Sequence, residues 1–174
     1  TTRMQTMIAD LLAFSRAGRA EIERQPVDVG ALVGDVVESL EATISERGAE
    51  VCVGELPVVD ADRNQLQQLF QNLIANALKF NDSERPRIEV RSDSEEGGWR
   101  FSVLDNGIGV EPVQREKVFG AFQRLHSRDD YEGSGIGLAI CKKIVERHGG
   151  EITIGDGLDG RGSSFTFTIA AARG

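Results

Sequence analysis

The sequence predicts an α+β fold built as a two-layer sandwich of helices and antiparallel strands. Two observations lead to this prediction. Apolar residues recur at helical spacing through the first half of the 174 residues, and they alternate with polar residues in the second half. An apolar content of 40% is enough for one packed core. Because helices and strands are largely segregated along the chain, the helices are expected to pack on one face of the sheet.

Two helices are predicted in the first 48 residues. The helix over 1–18 begins in the middle of its apolar pattern without a clear N-cap, so it looks like the end of a longer helix. The second helix has Asp28 as its N-cap and ends near Gly48. The apolar stripes are Met4, Met7, Ile8, Leu11, Leu12 and Phe14 in the first helix and Leu32, Val33, Val36, Val37, Leu40 and Ile44 in the second.

The same two periodicities predict the remaining elements. Glycine pairs and polar clusters separate them along the chain. In order, the prediction is a strand at 49–53, a helix from Asp60 to Phe80, a hairpin at 87–104 with a rather long turn, a short helical stretch near 115–122, a mobile loop at 127–132, a helix that begins directly after the segment 133–137, and closing strands at 151–154 and 164–169.

Charge and composition argue against several classes of function. The chain has 20 Lys and Arg against 28 Asp and Glu, and its net charge of −8 argues against a nucleic-acid-binding or membrane-surface role. An anionic ligand must therefore be held by local groups. The N-terminus lacks a signal-peptide pattern and apolar runs are short, which predicts a cytoplasmic location. Cys52 and Cys141 lack metal-ligand spacing and are predicted to be core residues.

The third predicted helix carries an unusual polar face. Its apolar residues form one broad arc, whereas Asn72, Asn76 and Lys79 lie close together on the opposite arc. Amide oxygens can coordinate a hard cation, and an ammonium group can neutralise phosphate. Considered alone, these three residues are more typical of an ordinary solvated face.

Glycine-rich segments suggest a nucleotide pocket. Asp105 ends a strand and is followed by Gly107 and Gly109, so its carboxylate could accept a hydrogen bond from an exocyclic amine beside a closely approaching backbone. The segment 133–137 opens a helix, and unpaired N–H groups at a helix start favour an anion. Taken separately, the Asp105 segment could be a turn, 133–137 is weak evidence, and the further segment 160–165 could be a hairpin turn.

In this order the segments resemble the N box and the three glycine boxes of the GHKL (Bergerat-type) ATP-binding superfamily. The resemblance is strongest to the catalytic ATP-binding domain of bacterial sensor histidine kinases, with a central segment similar to phytochrome-like and PAS-linked kinases. It implies a mixed, mostly antiparallel sheet packed on three helices, with a helix remnant at the N-terminus. The matching motifs are NLIANALKF at 72–80, DNGIGV at 105–110, VFGAFQRLH at 118–126, GSGIGLAICKKIVERHGG at 133–150 and GRGSSFTF at 160–167.

The resemblance implies ATP and Mg²⁺ as ligands and gives each matching residue a role. Asn76 matches the magnesium ligand, and Asp105 matches the acid that reads the adenine amino group. Asn72, Lys79 and Arg124 match residues around the phosphates and form the implied catalytic set. The implied nucleotide-binding residues are Asn72, Asn76, Lys79, Phe80, Asp105, Gly107, Ile108, Gly109, Arg124, His126, Gly133, Ser134, Gly135, Ile136, Gly137, Leu138 and Ser163, the last in place of a more usual threonine.

The resemblance also divides the chain. Residues 1–19 resemble the end of the second helix of a dimerisation and phosphoacceptor hairpin, and residues 20–174 resemble the catalytic domain. Neither His126 nor His148 is followed by the acidic residue typical of an acceptor histidine, and His148 is predicted to be a structural residue favoured by a helix dipole. The implied partners are the missing hairpin helices, a response regulator receiver domain and, in the full-length parent, a second copy. The fragment alone is expected to be monomeric.

The residue at one position favours a kinase over a hydrolase. Hydrolytic members of the superfamily have a glutamate four residues before the magnesium asparagine, where this chain has Asn72. An amide cannot take a proton from water at neutral pH, so phosphoryl transfer to a histidine is the predicted reaction. Two alternatives stay open: a GHKL serine kinase of the anti-sigma type, which the N-terminal helix disfavours, and a nucleotide-free interaction module, which the intact glycine boxes disfavour.

Overall fold

The computed structural model describes residues 21–120 and 136–170, together with Met4, Gln5, Ile8, Ala9, Leu11, Leu12, Ser15 and Arg16. These N-terminal residues are helical, as predicted, and exposed. No helix among the described residues combines the length and the apolar character needed to cross a membrane.

The strands within the described ranges form two sheets. The main sheet has the order β2-β4-β5-β7-β6, and it is mixed and mostly antiparallel, as predicted, because only β2 and β4 run parallel. A separate ribbon pairs β1 with β3. The strands are β1 (Gln25–Asp28), β2 (Glu50–Val53), β3 (Val58–Ala61), β4 (Arg87–Glu95), β5 (Gly98–Asp105), β6 (Ile152–Asp156) and β7 (Ser163–Ala170).

Helices form the second layer. In residues 21–120 and 136–170 the α-helices are α1 (Val29–Ser39), α2 (Glu41–Arg47), α3 (Arg63–Lys79) and α4 (Gly137–Arg147), and short 3₁₀ turns lie at Pro112–Gln114, Lys117–Phe119 and Leu158–Gly160. The longest, α3, begins where the carboxylate of Asp62 accepts a hydrogen bond from the N–H of Gln65 at 3.1 Å.

Aromatic side chains join the two layers. Every second residue of β7 is buried, which places one face of that strand against the helices. Phe167 on this face lies 5.4 Å from Phe70 of α3 and 5.4 Å from Phe101 of β5, measured between ring centroids. Phe70 and Phe101 meet edge to face at 5.8 Å. The predicted two-layer sandwich is therefore confirmed.

The single helix predicted from Asp28 to Gly48 is wrong, because the chain forms two helices there. The break lies at Leu40, between α1 and α2. The hydroxyl of Ser39 donates to the carbonyl of Val36 at 2.7 Å, a local bond that competes with regular helix. Asp28 does cap α1, and α2 ends at Gly48 with a φ of 62°.

The start of α3 and the hairpin turn were also misplaced. Residues 58–61 are strand β3, so α3 has Asp62 rather than Asp60 as its N-cap. Two aspartates in this short stretch both fit the capping pattern, and only the pairing of β3 with β1 decides between them. In the hairpin, Glu95 pairs directly with Gly98, which leaves a two-residue turn rather than a long one.

The two cysteines differ in their surroundings. Cys141 is buried in α4, as predicted, and burial raises the pKa of its thiol to about 12. The core prediction is wrong for Cys52, which is exposed. Cys52 lies on the edge strand β2, where its neighbour Val51 packs against the core and Cys52 therefore points to the other face.

His148 joins the end of α4 to the start of α3. Its side chain is fully buried, Nδ1 donates to the carbonyl of Ile144 at 2.8 Å, and Nε2 accepts from the backbone N–H of Asp62 at 3.1 Å. These two bonds require a neutral ring with its proton on Nδ1. Burial lowers the pKa of His148. The predicted structural role is confirmed, but the helix-dipole reason is wrong because that effect needs a charged ring.

The pKa of His148 makes stability depend on pH. Because the folded-state pKa lies below the usual value of 6.5, the unfolded chain binds more protons between the two values. We expect the free energy of unfolding to be at its full value above about pH 6.5 and to fall as the pH decreases below it. Urea denaturation from about pH 5 to about pH 8 measures this slope.

The matched variants are His148→Gln and His126→Gln, which replace the two histidines of the chain one at a time. We expect His148→Gln to lower the free energy of unfolding by about 1–3 kcal/mol at neutral pH and to remove the pH slope that the buried ring causes. A slope that survives in His148→Gln but disappears in His126→Gln would contradict this account.

Candidate functional site

Three ends of secondary structure meet at the candidate site: the end of α3, the end of β5 and the start of β7. The N–H of Ile108, just after β5, donates to the carbonyl of Phe80 at the end of α3 at 3.1 Å. The N–H of Ser163, the first residue of β7, donates to Oδ1 of Asp105 at 3.1 Å. The fold therefore brings together the first, second and last motifs of the predicted site.

Asp105 is a buried carboxylate at the end of β5, with 4% of its surface exposed. Its Oδ1 accepts hydrogen bonds from the backbone N–H groups of Gly107 at 2.9 Å and Ser163 at 3.1 Å. Burial raises the pKa of this carboxyl group, and the two hydrogen bonds act in the opposite direction. Within the described residues Oδ2 accepts no hydrogen bond, so it can accept one from an amine.

Glycines allow the backbone to close around Asp105. A Cβ at Gly107 would collide with the carbonyl oxygen of Phe80, and one at Gly162 would lie 2.6 Å from Oδ1 of Asp105. Gly109 and Gly162 also approach each other, because a Cβ at Gly109 would lie 2.9 Å from the Gly162 carbonyl oxygen. Both of these glycines have a positive φ. These segments are therefore packed against the carboxylate and are more than solvent-exposed turns.

The polar face of α3 is half-buried and lies near β5, the strand that ends at Asp105. Nζ of Lys79 lies 5.2 Å from the ring centroid of Phe80, a cation–π contact at the end of the helix. No described residue hydrogen-bonds the side chain of Asn76. The amide oxygen of Asn76 is thus available to a cation, and Lys79 supplies positive charge near it.

Asn72 connects α3 to the start of α4. Its Nδ2 donates to the carbonyl of Gly137 at 3.4 Å. No side chain among the described residues caps α4, so its first N–H groups can face an anion. The side chain of Ile136 is fully buried and that of Leu138 packs partly against the core, so these two residues anchor the start of the helix.

Asn106, which follows Asp105 in the second motif, is not among the residues predicted from the sequence. Its side chain bonds to the connection between α3 and β4, including Nδ2 of buried Asn81 at 3.0 Å. Arg115 is likewise not predicted, and it donates to the carbonyl of Val110 at 3.1 Å and to Asp156 at 2.7 Å. An asparagine directly after a strand-end aspartate is a detectable signal, because such residues often hold turns.

Part of the predicted site lies outside the described residues. These positions are Arg124, His126, Gly133, Ser134 and Gly135, and the loop predicted at 127–132 lies there as well.

The described part of the site combines three chemical features. A carboxylate oxygen is positioned to accept from an amine, glycine-lined backbone surrounds it, and an amide oxygen, an ammonium group and a helix start lie on the neighbouring helices. A planar, amine-bearing ring attached to an anionic chain fits this combination, and the anionic chain would extend toward α3 and α4.

A protein-family comparison matches residues 61–173 to the family described as histidine kinase-, DNA gyrase B- and HSP90-like ATPase. The chain is 46% identical over 166 residues to the phytochrome-like protein Cph1 of Synechocystis sp., covering 95% of this chain and 22% of that protein. The chain spans about a fifth of the length of the phytochrome relatives that it matches.

Solved structures agree with this match. Full-length ShkA in complex with AMPPNP superposes with a TM-score of 0.82 at 33% identity, covering 98% of this chain and 37% of that one. The histidine kinase ThkA in complex with the response regulator protein TrrA superposes with a TM-score of 0.77 at 25% identity, covering 98% and 48%.

The family match includes all of α3, β4, β5 and α4, which carry Asn76, Asp105 and Gly137. The fold and the site geometry agree with it, and the chain belongs to the family of histidine kinase-, DNA gyrase B- and HSP90-like ATPases.

Proposed function

We infer that this chain is the ATP-binding catalytic domain of a sensor histidine kinase. In this proposal it binds Mg-ATP and transfers the γ-phosphoryl group to a histidine of the dimerisation hairpin, for relay to an aspartate of a response regulator. The observation that carries the proposal is Asp105, a buried carboxylate held by Gly107 and Ser163 with one oxygen left for an amine donor. The 6-amino group of adenine is such a donor, whereas guanine has an acceptor at that position.

The residues on the two helices fit the phosphate chain and its cation. Asn76 would supply an amide oxygen to Mg²⁺, which prefers oxygen ligands shared between protein and phosphate. Lys79 and the start of α4 at Gly137 would offset the negative charge of the phosphates. Mg²⁺ when bound would neutralise charge on the phosphates. Arg124, His126, Gly133, Ser134 and Gly135 are proposed to complete the phosphate side.

Transfer is favoured over hydrolysis by the contacts of Asn72. Its Nδ2 donates to the Gly137 carbonyl, so the side chain at position 72 is an amide that already forms a hydrogen bond between α3 and α4. An amide cannot serve as a general base for water. A histidine acceptor already carries a nitrogen lone pair, so the domain needs only to position and neutralise the reactants.

The partners follow from the same proposal. The N-terminal helical residues expose Met4, Ile8, Leu11 and Leu12, which fits the end of a dimerisation helix at 1–19 followed by the catalytic domain at 20–174. The parent would be a cytoplasmic homodimer through that hairpin, and the complex of ThkA with its response regulator supports a receiver domain as the downstream partner. The chain alone is expected to be a monomer that cannot phosphorylate itself.

Nucleotide binding tests the assignment of Asp105. Asp105→Asn puts an amide where the adenine amino group needs an acceptor, so we expect the affinity for Mg-AMPPNP to fall by roughly 10- to 100-fold. Isothermal titration measures the dissociation constants. Asp93→Asn, the same change at an exposed position on β4, serves as the control and should bind like the wild type. Equal affinities of the wild type and Asp105→Asn would refute the assignment, and no binding by the folded wild type would favour an interaction module.

Phosphoryl transfer tests the kinase activity and the role of Asn76. With γ-labelled ATP, Mg²⁺ and a separately supplied acceptor hairpin, we expect slow labelling of the hairpin on histidine, because the tether between the two parts is missing. Asn76→Ala should lower the rate by roughly tenfold or more through loss of a metal contact. Asn64→Ala, an exposed position at the other end of α3, is the matched control. Release of free phosphate without labelling of the hairpin would contradict the proposed reaction.

A further inference from the structure

We propose that Asn106 is a positioning residue that sets the adenine selectivity of the pocket. It does so by holding the Asp105 strand end against the connection between α3 and β4. This inference rests on the proposed function.

The side chain of Asn106 uses its full hydrogen-bonding capacity within the protein. Its Oδ1 accepts from Nδ2 of Asn81 at 3.0 Å and from the N–H of Arg87 at 2.8 Å. Its Nδ2 donates to the carbonyl of Arg85 at 3.0 Å and to Oγ of Ser83 at 3.4 Å. An amide side chain offers two donors and two acceptor sites, so none remains for a ligand. Asn106 therefore acts through its neighbours.

All four partners of Asn106 lie in the segment 81–87, which joins α3 to β4. This segment is folded upon itself, because the N–H of Ser83 donates to Oδ1 of Asn81 at 2.9 Å and the N–H of Arg85 donates to Oγ of Ser83 at 3.3 Å. The backbone N–H of Asn106 adds a bond to the carbonyl of Arg87 at 3.3 Å. Asn106 is thus the centre around which the connection is organised.

The segment begins next to the residues that form the pocket. Phe80 precedes Asn81, and its carbonyl accepts from the N–H of Ile108, two residues after Asn106. The same carbonyl approaches Gly107 so closely that a Cβ there would collide with it. The chain at 80–81 and the chain at 105–108 therefore form one wall, and the side chain of Asn106 fixes their relative position.

Selectivity depends on this wall because Oδ1 of Asp105 accepts the two backbone hydrogen bonds, and Oδ2 would accept the hydrogen bond from the adenine amino group. Hydrogen bonds weaken steeply when the donor and acceptor are misaligned. A small rotation of the strand end would weaken the contact with the adenine amino group. It would leave the phosphate contacts on α3 and α4 unchanged. A general loss of structure would weaken the binding of every nucleotide by the same factor.

The experiment compares two nucleotides that differ at the position Asp105 would read. Isothermal titration with Mg²⁺ gives dissociation constants for AMPPNP and GMPPNP. The selectivity is the constant for GMPPNP divided by the constant for AMPPNP. For Asn106→Ala we expect this ratio to fall roughly tenfold or more, mainly through weaker AMPPNP binding. Thermal unfolding of each variant is recorded in parallel. If Asn106→Ala does not fold, Asn106→Ser is measured in its place and must show the same direction of change.

The matched control is Asp82→Ala, which loosens the same segment from outside by removing its ion pair with Arg161 at 2.7 Å. This variant should keep the wild-type selectivity within about twofold, since exposed ion pairs contribute little. A wild-type ratio retained by the folded Asn106 variant would overturn the proposal. An equal loss of nucleotide selectivity in Asp82→Ala would also overturn it. A wild type without nucleotide selectivity would instead overturn the proposed function on which it rests.

Discussion

The burial of the Asp105 carboxylate is the constraint around which the site is built. A charged group removed from water is costly unless hydrogen bonds replace its hydration. Here two backbone N–H groups do so, and that of Ser163 is in place because β5 and β7 pair with Leu104 opposite Ser164. The backbone can come this close only where residues lack a Cβ, which explains the glycine at 162. One carboxylate thus dictates strand register and glycine placement together.

Helix α3 is fixed to α4 and to the sheet by contacts along its length. At its start, Asp62 caps the helix, and the same residue's N–H is held by the buried ring of His148 at the end of α4. Just past the middle of α3, Asn72 bonds to the start of α4. Both ends of α4 are therefore joined to α3 by polar contacts, while Phe70 fixes the middle of α3 to the sheet. Such connections keep the polar face with Asn76 in a defined position relative to Asp105.

Sequence patterns were sufficient for the parts of this arrangement that are local. The helical period located α3 and α4, and alternation located β4, β5 and β7, because burial of one face imposes those periods. The β1–β3 ribbon was missed because each strand is only four residues long and their pairing joins residues thirty or more positions apart. The network of Asn106 was missed for a similar reason, since its partners lie in an aperiodic connection that only the fold brings near. Cys52 and His148 show that residue type alone does not determine burial or charge state.

To bind the proposed nucleotide, this acidic chain must concentrate positive potential locally. With a net charge of −8, long-range electrostatic repulsion opposes the approach of a nucleotide, and salt screens that repulsion over distances beyond the Debye length. Close to α3 the balance is different, because Lys79 supplies positive charge and the start of α4, which no side chain among the described residues caps, supplies the positive end of a helix dipole. A glutamate in place of Asn72 would set a negative charge against the Gly137 carbonyl and weaken this local field. The amide at position 72 therefore suits both the helix contact and the proposed phosphate site, where it cannot act as a base for water.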